Sequence, residues 1–215
     1  MFPVQDPLMA GFELTLAGPH VGFGLLSACN EEHLAPGAAF AEHPHRDVEI
    51  VTWVVEGVLE HRDSAGHSGI VRAGQAQRLS AGSGVRHTES NAGEGPLRFV
   101  QMWLHPQVFG GAPVYAVEAD PASVHPAGQP GATLHIGRSA MRLPDAEYVY
   151  VHVVRGSVRL GSQTLEEGDA ARLADAQGIM AEADGPVEYL VWEMCGAAMY
   201  GTRQAASAGA GGSGG

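Results

Sequence analysis

Val48-Glu49-Ile50-Val51-Thr52-Trp53-Val54-Val55 is a nearly unbroken apolar run in which β-branched side chains dominate. A short run of that composition, stopped by a turn residue, reads as a buried β-strand. Gly57 stops it, and Val58-Leu59-Glu60-His61-Arg62-Asp63 reads as the return strand. Working outward, Ser64-Ala65-Gly66 and Ala73-Gly74-Gln75 are turns by composition, with Ile70-Val71 as a short strand between them. Ala76 to Leu79 follows, then the glycine-rich bend Ala81-Gly82-Ser83-Gly84, and Phe99-Val100-Gln101-Met102-Trp103-Leu104 closes the series. Strands this short, with a turn about every eight to twelve residues, predict an all-β antiparallel sandwich or barrel.

The pattern then returns. Glu56-Gly57-Val58-Leu59-Glu60 has a counterpart in Arg155-Gly156-Ser157-Val158-Arg159-Leu160. Val71-Arg72-Ala73-Gly74-Gln75-Ala76-Gln77-Arg78-Leu79 has one in Leu165-Glu166-Glu167-Gly168-Asp169-Ala170-Ala171-Arg172-Leu173. The two offsets, close to 100 and 94 residues, indicate a duplicated β-domain with one insertion or deletion. Between the copies, 120–131 carries three prolines and reads as an exposed connection. The expected organisation is a first domain over 1–112, a second over 113–203 and a disordered Gly/Ala/Ser tail over 204–215.

Chemistry is concentrated in two short pairs, His43-Pro44-His45 and His87-Thr88-Glu89. Side chains two apart on a strand share a face, so each pair aims both members at one point. If the two strands are neighbours, three imidazoles and a carboxylate converge, a donor set suited to a divalent transition metal. The second copy lacks it: Glu147-Tyr148-Val149-Tyr150-Val151-His152 holds one histidine with none at the next-but-one position, and 177–182 holds none. One working site and one vestigial copy is the inference.

Composition excludes several classes. The formal net charge is −12 with 12 Lys+Arg, which argues against nucleic acid and anionic membranes as partners. No apolar run approaches the roughly 20 residues of a membrane-spanning helix. The opening Met1-Phe2-Pro3-Val4-Gln5-Asp6 lacks the basic and apolar regions of a signal peptide, so a cytoplasmic location is expected. Cys29 and Cys195 match no metal-ligand spacing and are expected as free thiols.

Three blocks, His43-Pro44-His45-Arg46-Asp47-Val48-Glu49, Glu60-His61-Arg62-Asp63-Ser64-Ala65-Gly66 and Ser80-Ala81-Gly82-Ser83-Gly84-Val85-Arg86-His87-Thr88-Glu89, together resemble the pirin family of the cupin superfamily. The resemblance covers most of residues 40–105 and implies two tandem cupin domains (jelly-roll barrels), the second degenerate. It implies one metal in the first barrel, held by His43, His45, His87 and Glu89. Fe(II) is the implied metal, with Ni, Cu, Co, Mn or Zn accommodated by the same donors. Several pirins resemble quercetin 2,3-dioxygenases, which implies O₂ and a small enolic, catechol-like or flavonol substrate, with Glu89 as catalytic base. The alternative implied by other pirins is a non-enzymatic, iron-dependent redox sensor that binds a protein partner. A weaker third reading uses the metal as a Lewis acid for isomerisation or hydrolysis.

The broader cupin pattern nominates Glu49 as the acidic ligand. Glu49 shares the face of His43 and His45 but lies roughly 13 Å beyond His45 on a straight strand, whereas Glu89 is roughly 7 Å from His87. Glu89 is therefore preferred, and Glu49 is expected outside the ligands, fixing an imidazole tautomer. Asn91, on the face of His87 and Glu89, borders the cavity or serves a turn. His61 and His67 are expected at the surface. His20, His33, His105, His125, His135 and His152 are read as solvent or core histidines, and Trp53, Met102 and Trp103 as barrel core.

Overall fold

The computed structural model describes residues 12–16 and 22–196; the 204–215 tail and His20 lie outside them. Among the described residues there are nineteen strands and no helix, hence no helix long and apolar enough to cross a membrane. All strand pairs are antiparallel.

Each half is a pair of sheets. In the first, a five-stranded sheet runs β10 (Val114–Ala119), β7 (Gln75–Ser80), β4 (Glu49–Glu56), β9 (Leu97–Leu104), β2 (Leu26–Leu34). Its partner sheet runs β3 (Ala39–His45), β8 (Val85–Asn91), β5 (Val58–Asp63), β6 (Ser68–Arg72). In the second half the larger sheet runs β1 (Phe12–Leu16), β17 (Asp169–Ala176), β14 (Ala146–Arg155), β19 (Glu188–Met194), β12 (Ala132–Gly137), β11 (Ser123–Val124). The smaller runs β13 (Met141–Arg142), β18 (Met180–Glu182), β15 (Val158–Leu160), β16 (Gln163–Leu165). The two strand orders match position for position apart from β11, an extra edge strand of the second half, which is the expected duplication realised as two cupin barrels. The outer strands are exchanged, however: β1 precedes the first barrel in sequence but pairs with β17 of the second. β10 pairs with β7 of the first, so a boundary at residue 112 divides the sequence but not the sheets.

The repeated glycines make the same turn. Gly57 and Gly156 adopt φ of 85° and 74°, and a Cβ at either would lie 2.4 Å from the Pro96 carbonyl oxygen or 2.6 Å from that of Pro186. Only glycine reaches this conformation without strain. Gly57→Ala is therefore expected to lower unfolding free energy by at least about 1–3 kcal/mol. Denaturant titration checks this, an unchanged midpoint being the contrary result.

Alternation along β4 divides the core. Val51, Trp53 and Val55 turn toward the second barrel and join the largest cluster with Tyr150, Val154, Leu190 and Trp192. Ile50, Thr52 and Val54 turn into the first barrel. Trp53 is fully buried and its Nε1 donates to Glu188 of β19 at 2.6 Å. Its role as core is as expected. Met102 is likewise buried, and Trp192 Nε1 points at its sulfur at 3.1 Å.

Candidate metal centre

β3 is the edge of its sheet, which is where Pro44 is tolerated, since proline gives no donor to a ladder. β3 pairs with β8 so that His43 lies opposite His87. A register shift between Phe40 and His43 places one extra residue on β3. Such a bulge re-aims the side chains that follow it. Here the Ala41 carbonyl, inside the bulge, accepts a 2.8 Å hydrogen bond from His43 Nδ1. A carbonyl only accepts, so the His43 proton sits on Nδ1 and the Nε2 lone pair is free.

The three imidazoles converge. Ring centroids lie 4.4 Å (His43–His87), 4.8 Å (His45–His87) and 4.9 Å (His43–His45) apart. One nitrogen of each lies within 4.8 Å of the others, and His43 Nε2 is 2.9 Å from His87 Nε2. His45 Nε2 is buried with no hydrogen-bond partner. An orphaned nitrogen costs free energy unless something fills the space it faces, and a cation shared with the nitrogens of His43 and His87 would fill it. Burial, then the charge of His43, pushes His45 down to about 4. Burial, then the charges of His45, His43 and His61, pushes His87 down to about 3. Both rings are therefore neutral at pH 7, the form that ligates.

Glu89 is buried beneath the triad. Its Oε1 accepts from Gln77 Nε2 at 2.6 Å and its Oε2 from Gln101 Nε2 at 2.7 Å. Each carboxylate oxygen keeps a further lone pair. Burial pushes the Glu89 carboxyl up, against the pull of both glutamine donors. Its carboxylate groups within 4.8 Å with His87 and His61, and not with His43 and His45, which form their own group with His87. Gln77, Thr52 and Gln101 lie in one register across β7, β4 and β9. The corresponding register in the second barrel is Ala171, Val151 and Val191. The polar layer that holds a carboxylate in one barrel is thus aliphatic in the other. The strand matching β3 there is β13, not the stretch 147–152 that the sequence pattern suggested; that stretch lies on β14, the counterpart of β4.

A cavity of about 300 Å³ opens beside His43 and Glu89, lined also by Asn30, Phe40, Gln101 and Trp103 among others. Trp103 was expected in the core. It is instead only partly buried, stands edge-on to His45 at 5.1 Å, and donates from Nε1 to Gln101 Oε1 at 3.0 Å. The structure changes two further expectations, for Glu49 and His61, and decides between the two left open for Asn91. Glu49 Oε2 accepts from Ser80 Oγ at 2.5 Å and from the Gly128 amide at 3.0 Å, so its hydrogen bonds tie β4 to the connection between barrels and reach no imidazole. Asn91 serves the turn: Nδ2 donates to the Leu34 and Gly95 carbonyls, and Oδ1 accepts from the Gly93 amide. His61 is wholly buried beside His87, not at the surface, while His67 is partly exposed. The signal for His61 was available: Leu59 and His61 alternate with Glu60 and Arg62, which marks the inward face of β5. Cys29 and Cys195 are free thiols, as expected.

Comparison with known proteins bears on this arrangement. The family model described as Pirin matches residues 16–104, and that described as the quercetinase C-terminal cupin domain matches 133–194. A Mycobacterium tuberculosis relative is 38% identical, with 80% of each chain covered. The chain belongs to the pirin family. An Escherichia coli pirin relative named quercetin 2,3-dioxygenase is 31% identical, covering 81% of this chain and 84% of its own. The crystal structure of the bacterial pirin YhhW from Escherichia coli in complex with nickel(II) superposes with a TM-score of 0.73 at 29% identity, covering 81% of this chain and 84% of its own. The pirin assignment fits both the two-barrel architecture and the confinement of metal-capable clusters, among the described residues, to the first barrel.

Proposed function

We propose that this pirin holds one divalent transition metal on His43, His45, His87 and Glu89 and catalyses dioxygenation of a small aromatic bearing an enolic or catechol-like hydroxyl, flavonols included. What supports the reading is the grouping of His43, His45 and His87 nitrogens within 4.8 Å of one another, beside a cavity that His43 and Glu89 line. Fe(II) is the first choice of metal, and the nickel bound by YhhW makes Ni(II) the second. A metal with open coordination positions supplies Lewis acidity and access to O₂.

The remaining roles belong to the chain's own groups. Glu89, which lines the cavity, is the residue placed to take the proton of a substrate hydroxyl presented there, a bound cation keeping its carboxyl ionised. Gln77 and Gln101 fix its orientation. Phe40 and Trp103 flank the cavity with aromatic surface for a planar ring. Gln101→Leu removes one donor from Glu89 and is expected to weaken metal binding about 10–100-fold. Competition titration with a chromophoric chelator reads that change, and unaltered affinity would speak against Glu89 as a ligand.

The activity itself is tested by loading the protein with Fe(II) or Ni(II), adding quercetin or catechols, and following O₂ uptake, CO release and loss of flavonol absorbance. Turnover by metal-loaded protein, absent after chelation, is the expected result. A fully loaded protein inert toward the whole panel with Fe, Ni, Cu, Co, Mn and Zn would overturn the dioxygenase reading.

A further inference from the structure

The block Glu60-His61-Arg62-Asp63 has no part in the function proposed above, yet two of its side chains are completely buried against the metal centre. On the β5–β8 ladder His61 lies opposite Glu89, and Asp63 opposite His87. The side chains of His61 and Asp63 are both 0% exposed. We propose that Asp63 and His61 are positioning residues that set the tautomer of His87, so that its Nε2 presents a lone pair to His43 and His45.

The reasoning follows hydrogen-bond direction from one fixed acceptor to the next. Asp63 Oδ1 accepts from the backbone amides of Ala65 and His67, both at 2.9 Å, which locks the carboxylate plane. Its Oδ2 then faces His61 Nε2 at 3.3 Å and His67 Nδ1 at 2.9 Å. A carboxylate only accepts, so the His61 proton sits on Nε2 and its Nδ1 is an acceptor. The neighbour of that Nδ1, at 3.4 Å, is His87 Nδ1. His87 Nδ1 must therefore carry the proton and donate it, which leaves Nε2 bare. That atom is the one 2.9 Å from His43 Nε2. Tyr115 stacks on His61 with centroids 4.3 Å apart and planes 9° from parallel, holding the ring in the orientation the chain of bonds requires. On the far side the Ala41 carbonyl does for His43 what this pair does for His87. A buried carboxylate acting on a ligand through an intervening imidazole is an extension of the usual arrangement, in which the carboxylate touches the ligand directly.

The inference rests on the metal-centre reading only for its purpose; the tautomers exist without metal. Asp63→Asn tests it sharply. The two backbone amides keep the side-chain oxygen at the Oδ1 position, so the amide nitrogen takes the Oδ2 position. That nitrogen is a donor, and it reverses each bond: His61 becomes an Nδ1–H tautomer and His87 an Nε2–H tautomer. Two-bond ¹⁵N–¹H NMR of metal-stripped, ¹⁵N-histidine-labelled full-length protein at pH 8 reads both rings. Expected is His87 protonated at Nδ1 in the wild type and in His67→Gln, and at Nε2 in Asp63→Asn. Zn(II) affinity should fall about 10–100-fold in Asp63→Asn and stay within about twofold in His67→Gln. A wild-type His87 protonated at Nε2, or an Asp63→Asn protein with unchanged tautomers, would overturn the relay. The wild-type spectrum decides even if the variant fails to fold. Correct tautomers in a wild-type protein that binds no Zn(II) would sustain the relay and sink the metal reading instead.

Discussion

His87→Ala is expected to keep its β-sheet circular dichroism and lose its metal. The side chain is buried at the point where β3 and β8 meet, and it closes the triangle with His43 and His45. Its removal leaves two imidazoles and a carboxylate that is already held by two glutamines. Removing a group that touches the metal should cost more than the roughly 10–100-fold typical of outer partners, so affinity should fall more than about a hundredfold. The strand itself is secured by pairing on both sides, with β3 and β5, so the fold does not depend on that ring. His152→Ala is the matched control. His152 is also buried, but it sits on β14 with Glu31 3.6 Å away, and its loss should leave metal content unchanged. Elemental analysis after desalting separates the two outcomes.

The second large effect concerns the union of the barrels. Trp53→Ala deletes a fully buried indole from the cluster shared by both halves and strands Glu188 without its 2.6 Å donor. Truncation of a core tryptophan costs about 3–5 kcal/mol, since the surrounding structure refills the space only in part. Trp53→Phe keeps most of the volume and loses chiefly the hydrogen bond, at about 1 kcal/mol. Both variants should still bind metal, because Trp53 and Thr52 occupy opposite faces of β4 and only Thr52 faces the polar layer. Guanidinium unfolding measures the first effect and metal titration the second. A Trp53→Ala protein as stable as the wild type would contradict the shared core.

Much of the site was legible because β-structure converts spacing into direction. His43 with His45, and His87 with Glu89, needed only the two-residue period to share a face, and the repeat of Gly57 as Gly156 announced the second barrel. What escaped the sequence depends on long-range geometry. The bulge between Phe40 and His43, which supplies the Ala41 carbonyl, leaves no mark in composition. The exchange of β1 and β10 between barrels is a matter of topology, not of strand propensity. His61 was misplaced because flanking Glu60 and Arg62 made the hairpin look solvated, although its own parity pointed inward. Glu49 was set aside on distance, and its hydrogen bonds to Ser80 and Gly128 belong to a sheet and a connection that spacing along one strand cannot reveal.

The most direct test is anomalous diffraction at the metal edge from crystals of metal-loaded protein. One peak is predicted, in the first barrel, about 2.0–2.2 Å from Nε2 of His43, His45 and His87. A loaded crystal whose metal lies in the second barrel, or out of bonding reach of these three nitrogens, would contradict the account.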